Sequence, residues 1–248
     1  MSRLTEAIKH LLIINILFFV ATNIYGDQMY QWFSLWFPKN ENFGIWQIVT
    51  HMFMHGGFMH ILFNMYALYA FGTPLERMWG RNKFLFFYFS AGLGAALLHT
   101  GVNYYYFQKG LNAIVDSGVT ESSVMDIVTR GQYNTEWYNI AGKSTIDNFL
   151  SAYHTPAVGA SGAIYGVLVA FGMSYPNSEL FLIFLPVPIK AKYFIPVLIG
   201  LDLFSGITGY GIFGQGIAHF AHVGGALVGF LMMWYWKKNQ FNNNRWDR

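Results

Sequence analysis

Residues 84–107 form 24 consecutive positions without one Asp, Glu, Lys or Arg. A helix of about 20 apolar residues crosses the hydrocarbon layer of a bilayer, so this stretch is long enough to span it. Five further stretches read the same way, at about 8–25, 58–74, 159–175, 191–208 and 215–236. Composition agrees: 54% of the residues are hydrophobic and 11% are charged, where a soluble domain carries about 25% charged residues. The 24 Phe, 16 Tyr and 8 Trp are more apolar surface than one water-soluble core hides. The expected fold class is an all-α membrane protein, a six-transmembrane-helix bundle whose first partner is the lipid bilayer. A disordered chain, a disulfide scaffold and a typical cytosolic enzyme are excluded. With no Cys, disulfides, thiolate metal sites and Cys nucleophiles go together. A net charge of +3 gives no argument for a nucleic-acid partner.

Six spans put both termini on one side, and the basic residues choose which. With the N-terminus cytoplasmic, the inner segments hold 11 of the 15 Lys and Arg, and the outer segments only Lys39, Lys109, Arg130 and Lys143. The span carrying Asn15 and Asn23 has no small-residue cleavage site after it, so it is read as a retained helix. With no transit-type N-terminus visible, a cell inner (plasma) membrane is the expected location. Residues 1–238 read as one membrane domain and 239–248 as a short polar cytoplasmic tail. The outer loop at 26–47 is dense in aromatics, with Trp32, Phe33, Trp36, Phe37 and Trp46, and suits the headgroup layer. The polar stretch at about 108–152 reads as a water-exposed extracytoplasmic insertion with at most a short helix. Residues 180–189, broken by Pro186 and Pro188, read as a loop lying on the membrane.

Polar groups inside a bilayer are costly and mark function. Here they gather at one level. His60 and Asn64 begin the second span, Ser161 begins the fourth, and His222 lies about seven residues into the sixth, roughly 10 Å at the helical rise. All three spans enter from outside, so the groups share the outer half of the bilayer. His60 and Asn64 are four residues apart, as are Ser161 and Tyr165, so each pair shares one helix face. Gly162 and Gly166 on the fourth span and Gly225 and Gly229 on the sixth let two backbones approach closely, bringing Ser161 within reach of His222. A serine hydroxyl is a weak nucleophile until a base takes its proton. Donors aimed at the developing oxyanion do the rest, and Asn64, His60 and the Ser161 N–H are available. No carboxylate reads at this depth; Asp202 is the only candidate, on a span of opposite direction. A Ser–His dyad is therefore expected, with Tyr165 stacking on His222. His51, His55, His99 and His219 read as structural or cavity-lining.

These residues resemble the rhomboid intramembrane serine proteases. The resemblance rests on His60-x-x-x-Asn64, on Gly159-Ala160-Ser161-Gly162 with Tyr165, and on Ala221-His222-x-x-Gly225, on the second, fourth and sixth spans in that order. The run His51, His55, His60 resembles the family's entry to the second span, and Glu76-Arg77 with Gly80 its inner loop. The resemblance implies Ser161 as nucleophile, His222 as base and His60 with Asn64 beside the oxyanion, in a water-filled cavity open to the outside. It implies that residues 206–216, with five glycines, cap the site and that the fifth helix gates lateral entry. The implied substrates are single-span transmembrane proteins, cleaved near the outer end of their helix after local unwinding. No cofactor and no metal is implied. Two features depart from the family: Gln47 follows Trp46 where many members have Arg, and the insertion is longer than expected.

Three other readings compete. A non-catalytic relative would bind and escort membrane helices, but would be expected to lack the Ser or the His. A His-ligated metal or haem protein could use His51 and His55 with His222, yet no second His pair faces the first. A transporter fits the charge bias, but paired half-repeats with broken helices are absent from the sequence.

Overall fold

The computed structural model describes residues 4–182, 185–210 and 218–243. Helix α1 (Glu6–Tyr25) leads into an irregular outer loop carrying α2 (Asp27–Phe33), α3 (Gln47–Thr50) and a 3-10 turn (His51–Phe53). Next come α4 (Phe58–Ala67), a π-helical turn (Leu68–Gly72) and α5 (Thr73–Trp79). The expected second span therefore runs past Pro74. Proline lacks an N–H and crowds the carbonyl four residues back; the wider π turn just before it relieves both problems. Helix α6 (Arg81–Val115) is 35 residues long. The insertion follows as α7 (Glu121–Thr129), α8 (Glu136–Ala141) and α9 (Lys143–His154). Helix α10 (Ser161–Ser174), a hairpin of β1 (Glu179–Leu182) and β2 (Leu185–Lys190), α11 (Ala191–Thr208) and α12 (His219–Asn243) complete the chain.

By length and composition α1, α6 and α11 qualify as membrane spans, and α10 is a shorter apolar helix of 14 residues. At 1.5 Å per residue α10 is about 21 Å long, less than the roughly 30 Å hydrocarbon layer. Its burial explains this: Gly162 through Phe171 are all buried. A helix apolar on every face and wrapped in protein is a core element, with no need to reach both surfaces. It packs against α6 and α12. A Cβ on Gly225 would collide with the Gly162 carbonyl oxygen, and one on Gly229 would lie 2.7 Å from the Gly166 Cα. The glycines thus set backbone-to-backbone contact between α10 and α12. Ala91 and Ala95 of α6 fill the other side of Gly166 and Gly162.

Three expected boundaries are corrected. The insertion is no exposed coil. Helix α6 runs on as a stalk to Val115, and α7, α8 and α9 fold against it around Phe107, Leu111, Val124, Trp137, Ile146 and Phe149. Phe37 of the outer loop joins the same cluster. Residues 180–182 and 185–189 pair as antiparallel strands, with Leu180 opposite Ile189. In a two-stranded ribbon a proline's missing N–H faces away from the ladder at little cost, so Pro186 and Pro188 did not forbid strands. Helix α12 continues to Asn243, into the stretch read as a tail.

Two buried polar side chains hold the frame. The Glu76 carboxylate accepts from the Ala7 N–H at 2.7 Å and the Ile8 N–H at 3.0 Å, satisfying orphan donors of the first turn of α1. Gln47, fully buried, donates through Nε2 to the carbonyls of Gln31, Trp32 and Asn42, while its Oε1 accepts from the Trp36 N–H. A neutral amide thus anchors the outer loop. Leu35 and Ala157 exchange backbone hydrogen bonds of 2.9 Å, tying that loop to the segment leading into α10.

Candidate active site

Ser161 is the first residue of α10, after Ala160 at the N-cap. The first N–H groups of a helix have no carbonyl partner within it, so the Ser161 amide is a donor at the same end as its hydroxyl. Gly159 precedes it with φ +123, a conformation that side chains resist. A Cβ at Gly159 would lie 2.8 Å from His60 Nε2 and 3.4 Å from Ser161 Oγ. The glycine therefore keeps open a small space flanked by both groups.

Helix α12 brings His222 to this end. Its Nε2 lies 2.8 Å from Ser161 Oγ, and the Tyr165 ring stacks on its imidazole at 4.2 Å and 11°. His60 Nδ1 accepts from the Gly56 N–H at 3.4 Å, which leaves the ring proton on Nε2, toward the space beside Ser161. Asn64, one turn on, is buried, and its Nδ2 has no hydrogen-bond partner. An unpaired buried amide is costly and asks for a ligand; both His60 and Asn64 line the cavity that holds Ser161 and His222. That cavity has a volume of about 1,090 Å³ and reaches His99 and Asn103 on α6, Asn148 and Ser151 on α9 and Thr155 just after it. Ser161, His222, His60, Asn64, Tyr165 and Gly162 thus all come together at one end of the bundle.

His51 and His55 stand apart from the Ser–His contact. His51 Nδ1 donates to the Gln47 carbonyl at 2.8 Å, and its own carbonyl accepts from the Gly159 N–H at 2.9 Å. His55 lies edge-on to His60 at 5.0 Å. Burial pushes both outer-loop imidazoles down to about 4, with the neighbouring His60 adding to the shift at His55, so both are neutral at neutral pH. His99 contacts Asn103 at 3.0 Å. Of the expected lid at 206–216, Gly206 lies in the last turn of α11 beside Phe220 and His219, and Gly209 closes that helix in a left-handed turn. Gly211, Gly214 and Gly216 lie outside the described residues.

One expectation fails. A carboxylate does lie at the level of His222: Asp202 Oδ1 is 3.1 Å from His222 Nδ1 and 2.6 Å from His219 Nδ1. Its Oδ2 accepts from the Tyr165 hydroxyl. The opposite direction of its span does not carry Asp202 away from the site. Counted from the site end of α11, at Thr208, it lies only six residues in, about 9 Å. That count was available in the sequence. His219, one turn before His222 and expected to be structural or lid-facing, shares the same acid.

A bundle of apolar helices that sets a serine against a histidine below its rim defines a helical membrane protein with a hydrolase-like site. The chain belongs to the rhomboid family: the Rhomboid domain model matches residues 42–124 and 135–239. Among curated relatives it is 30% identical over 200 residues to the rhomboid protease AarA of Providencia stuartii, covering 75% of this chain and 54% of that protein. It is 25% identical over 191 residues to the mitochondrial rhomboid protein 1 of Saccharomyces cerevisiae, covering 77% of this chain and 42% of that protein. The presenilin-associated rhomboid-like protein of Rattus norvegicus is 29% identical over 184 residues, covering 74% and 35%. The chain spans about half the length, or less, of these relatives. The matched segments leave out residues 125–134 of the insertion.

Proposed function

We propose that this chain is an intramembrane serine endopeptidase of six spans, with both termini cytoplasmic and the Ser161 end toward the outer leaflet of a cell inner membrane. The observation that carries the reading is the 2.8 Å contact between His222 Nε2 and Ser161 Oγ at the mouth of a buried helix. The basic-residue bias supports the orientation, and the relatives named above support the chemistry.

In this reading His222 takes the Ser161 proton as Oγ attacks a substrate carbonyl. The oxyanion draws on the Ser161 N–H, the unpaired Asn64 Nδ2 and the His60 Nε2 proton. His222 then returns the proton to the leaving amine, and water from the cavity repeats the sequence to release the acyl group. The substrate is a single-span transmembrane protein. Its helix unwinds locally before cleavage, because helical carbonyls are internally hydrogen-bonded and shielded. The polar cavity lining offers replacement partners to the freed backbone.

The test is a gel assay in detergent with a model single-span substrate. The parent chain is expected to cleave it and Ser161→Ala is expected to leave it intact with an unchanged unfolding temperature. Equal cleavage by both would overturn the mechanism. Binding of the substrate without cleavage by either would favour a non-catalytic helix-binding role.

A further inference from the structure

We infer that Asp202 is the positioning residue of this site: it holds His222 in the tautomer a base needs and fastens α11 to the reacting pair. The inference rests on Ser161 and His222 performing hydrolysis as proposed above.

The argument is one of donors and acceptors. Asp202 is 1% exposed, and an ionised carboxylate only accepts. Its Oδ1 faces the Nδ1 atoms of both His219 and His222, and Oδ2 takes the Tyr165 hydroxyl. Each imidazole must therefore carry its proton on Nδ1. For His222 this leaves the Nε2 lone pair directed at Ser161 Oγ, 2.8 Å away, which is the state that can accept the serine proton. When that proton arrives, the imidazolium forms against a buried carboxylate that was already in place. Tyr165 acts on both partners at once. Its ring lies flat on His222, and its hydroxyl holds the acid that orients the same ring.

The placement also links three helices. Tyr165 lies on α10, Asp202 on α11 and the two histidines on α12. Helix α11 otherwise shows an apolar outer face, with Tyr193, Val197, Phe204 and Ile207 exposed. Of its buried polar side chains, Asp202 and Ser205, Asp202 is the one hydrogen-bonded to the site. Movement of α11 away from α12 would withdraw the acid from His222, so the base is fully oriented only while α11 is seated.

The other titratable groups around His222 are His60 from α4, His99 from α6, Tyr165 from α10 and His219 on its own helix; among the described residues the cavity lining holds no Lys, Arg, Asp or Glu. A pH effect of changing Asp202 is therefore not masked by a second acid.

The experiment uses the full chain in detergent, with steady-state cleavage of the model substrate followed across pH. Asp202→Asn is expected to lower kcat about 10²–10⁴-fold with KM little changed, and to move the acid limb of the kcat/KM profile to lower pH. Asp202→Glu, which keeps the carboxylate, is expected to recover part of the rate and the parental acid limb. Asp202→Asn with parental kcat and acid limb would overturn the inference. An Asp202→Asn variant that does not fold is covered by proton NMR of the histidine-labelled parent. A far-downfield Nδ1–H resonance that His222→Ala removes is expected, and no such resonance would overturn the inference. Should the parent itself fail to cleave and to react with a fluorophosphonate, it is the hydrolytic reading that fails.

Discussion

Helix α10 has two unlike neighbours. Toward α12 it offers bare backbone, with Gly162 and Gly166 pressed on Gly225 and Gly229. Toward α11 it meets side chains, such as Ile195 over Gly172, and the Tyr165–Asp202 hydrogen bond. The first contact has no slack. The second is made of groups that can separate, and much of α11 faces outward with large apolar side chains exposed. The contrast divides the work of the hydrolase proposed above. Serine and histidine sit on the pair of helices in backbone contact, while the third helix, α11, joins them through side chains at the rim of the same cavity.

The strongest way to break that contrast is to widen the tight side. Gly225→Val puts a branched side chain where even a Cβ collides with the Gly162 carbonyl. The helices must part, and a misplacement of about 1 Å costs roughly 10²-fold in rate. Cleavage is expected to fall at least that far, with destabilisation of about 1–3 kcal/mol read from unfolding in detergent; parental cleavage would mean that the glycine contact does not set the geometry. Next comes Asn64→Ala, which removes a donor without touching either helix pair. A loss of about 10²–10³-fold in kcat with little change in unfolding temperature is expected, and an unchanged rate would assign Asn64 to packing alone.

The third prediction concerns pH. His51 and His55 have folded values of about 4, below the unfolded value of roughly 6.5. As pH falls from about 6.5 to 4, the unfolded chain takes up protons that the folded one refuses, so stability declines across that window and is fully present above it. Unfolding temperature measured between pH 7 and pH 4.5 is expected to drop, and less steeply in H51Q/H55Q. An equal slope in both would place the effect elsewhere. The smallest effect is expected on the outward face of α11. Phe204 is 52% exposed, and Phe204→Ala should change stability by no more than about 0.5 kcal/mol and leave the cleavage rate equal or higher; a large loss would show that α11 is held as tightly as α12.

The tight side was legible in the sequence, and the loose side was not. Gly162, Gly166, Gly225 and Gly229 recur every four residues, and a spacing rule suffices to read their contact. The expected bounds of the fifth span, about 191–208, coincide with those of α11, but its contact with the site does not follow from them. Asp202 stands out as the one candidate carboxylate, but the direction of its span alone hides how near it lies to the site end of α11. The insertion hid its helices in plain view: Ile146, Phe149 and Tyr153 follow a helical stripe, but short helices bury such a stripe only against a partner, here the stalk of α6 beyond the expected span. The anchoring role of Gln47 could not be read, since an amide gains meaning only once four distant backbone groups converge on it.

The most direct test of the central claim is covalent labelling. The detergent-solubilised chain is treated with a fluorophosphonate, and the modified peptide is located by mass spectrometry. Modification of Ser161 that disappears in His222→Ala is the predicted result, because only a serine activated by that imidazole reacts at neutral pH. Absence of labelling in the parent, or labelling of Ser161 that survives the loss of His222, would contradict the account.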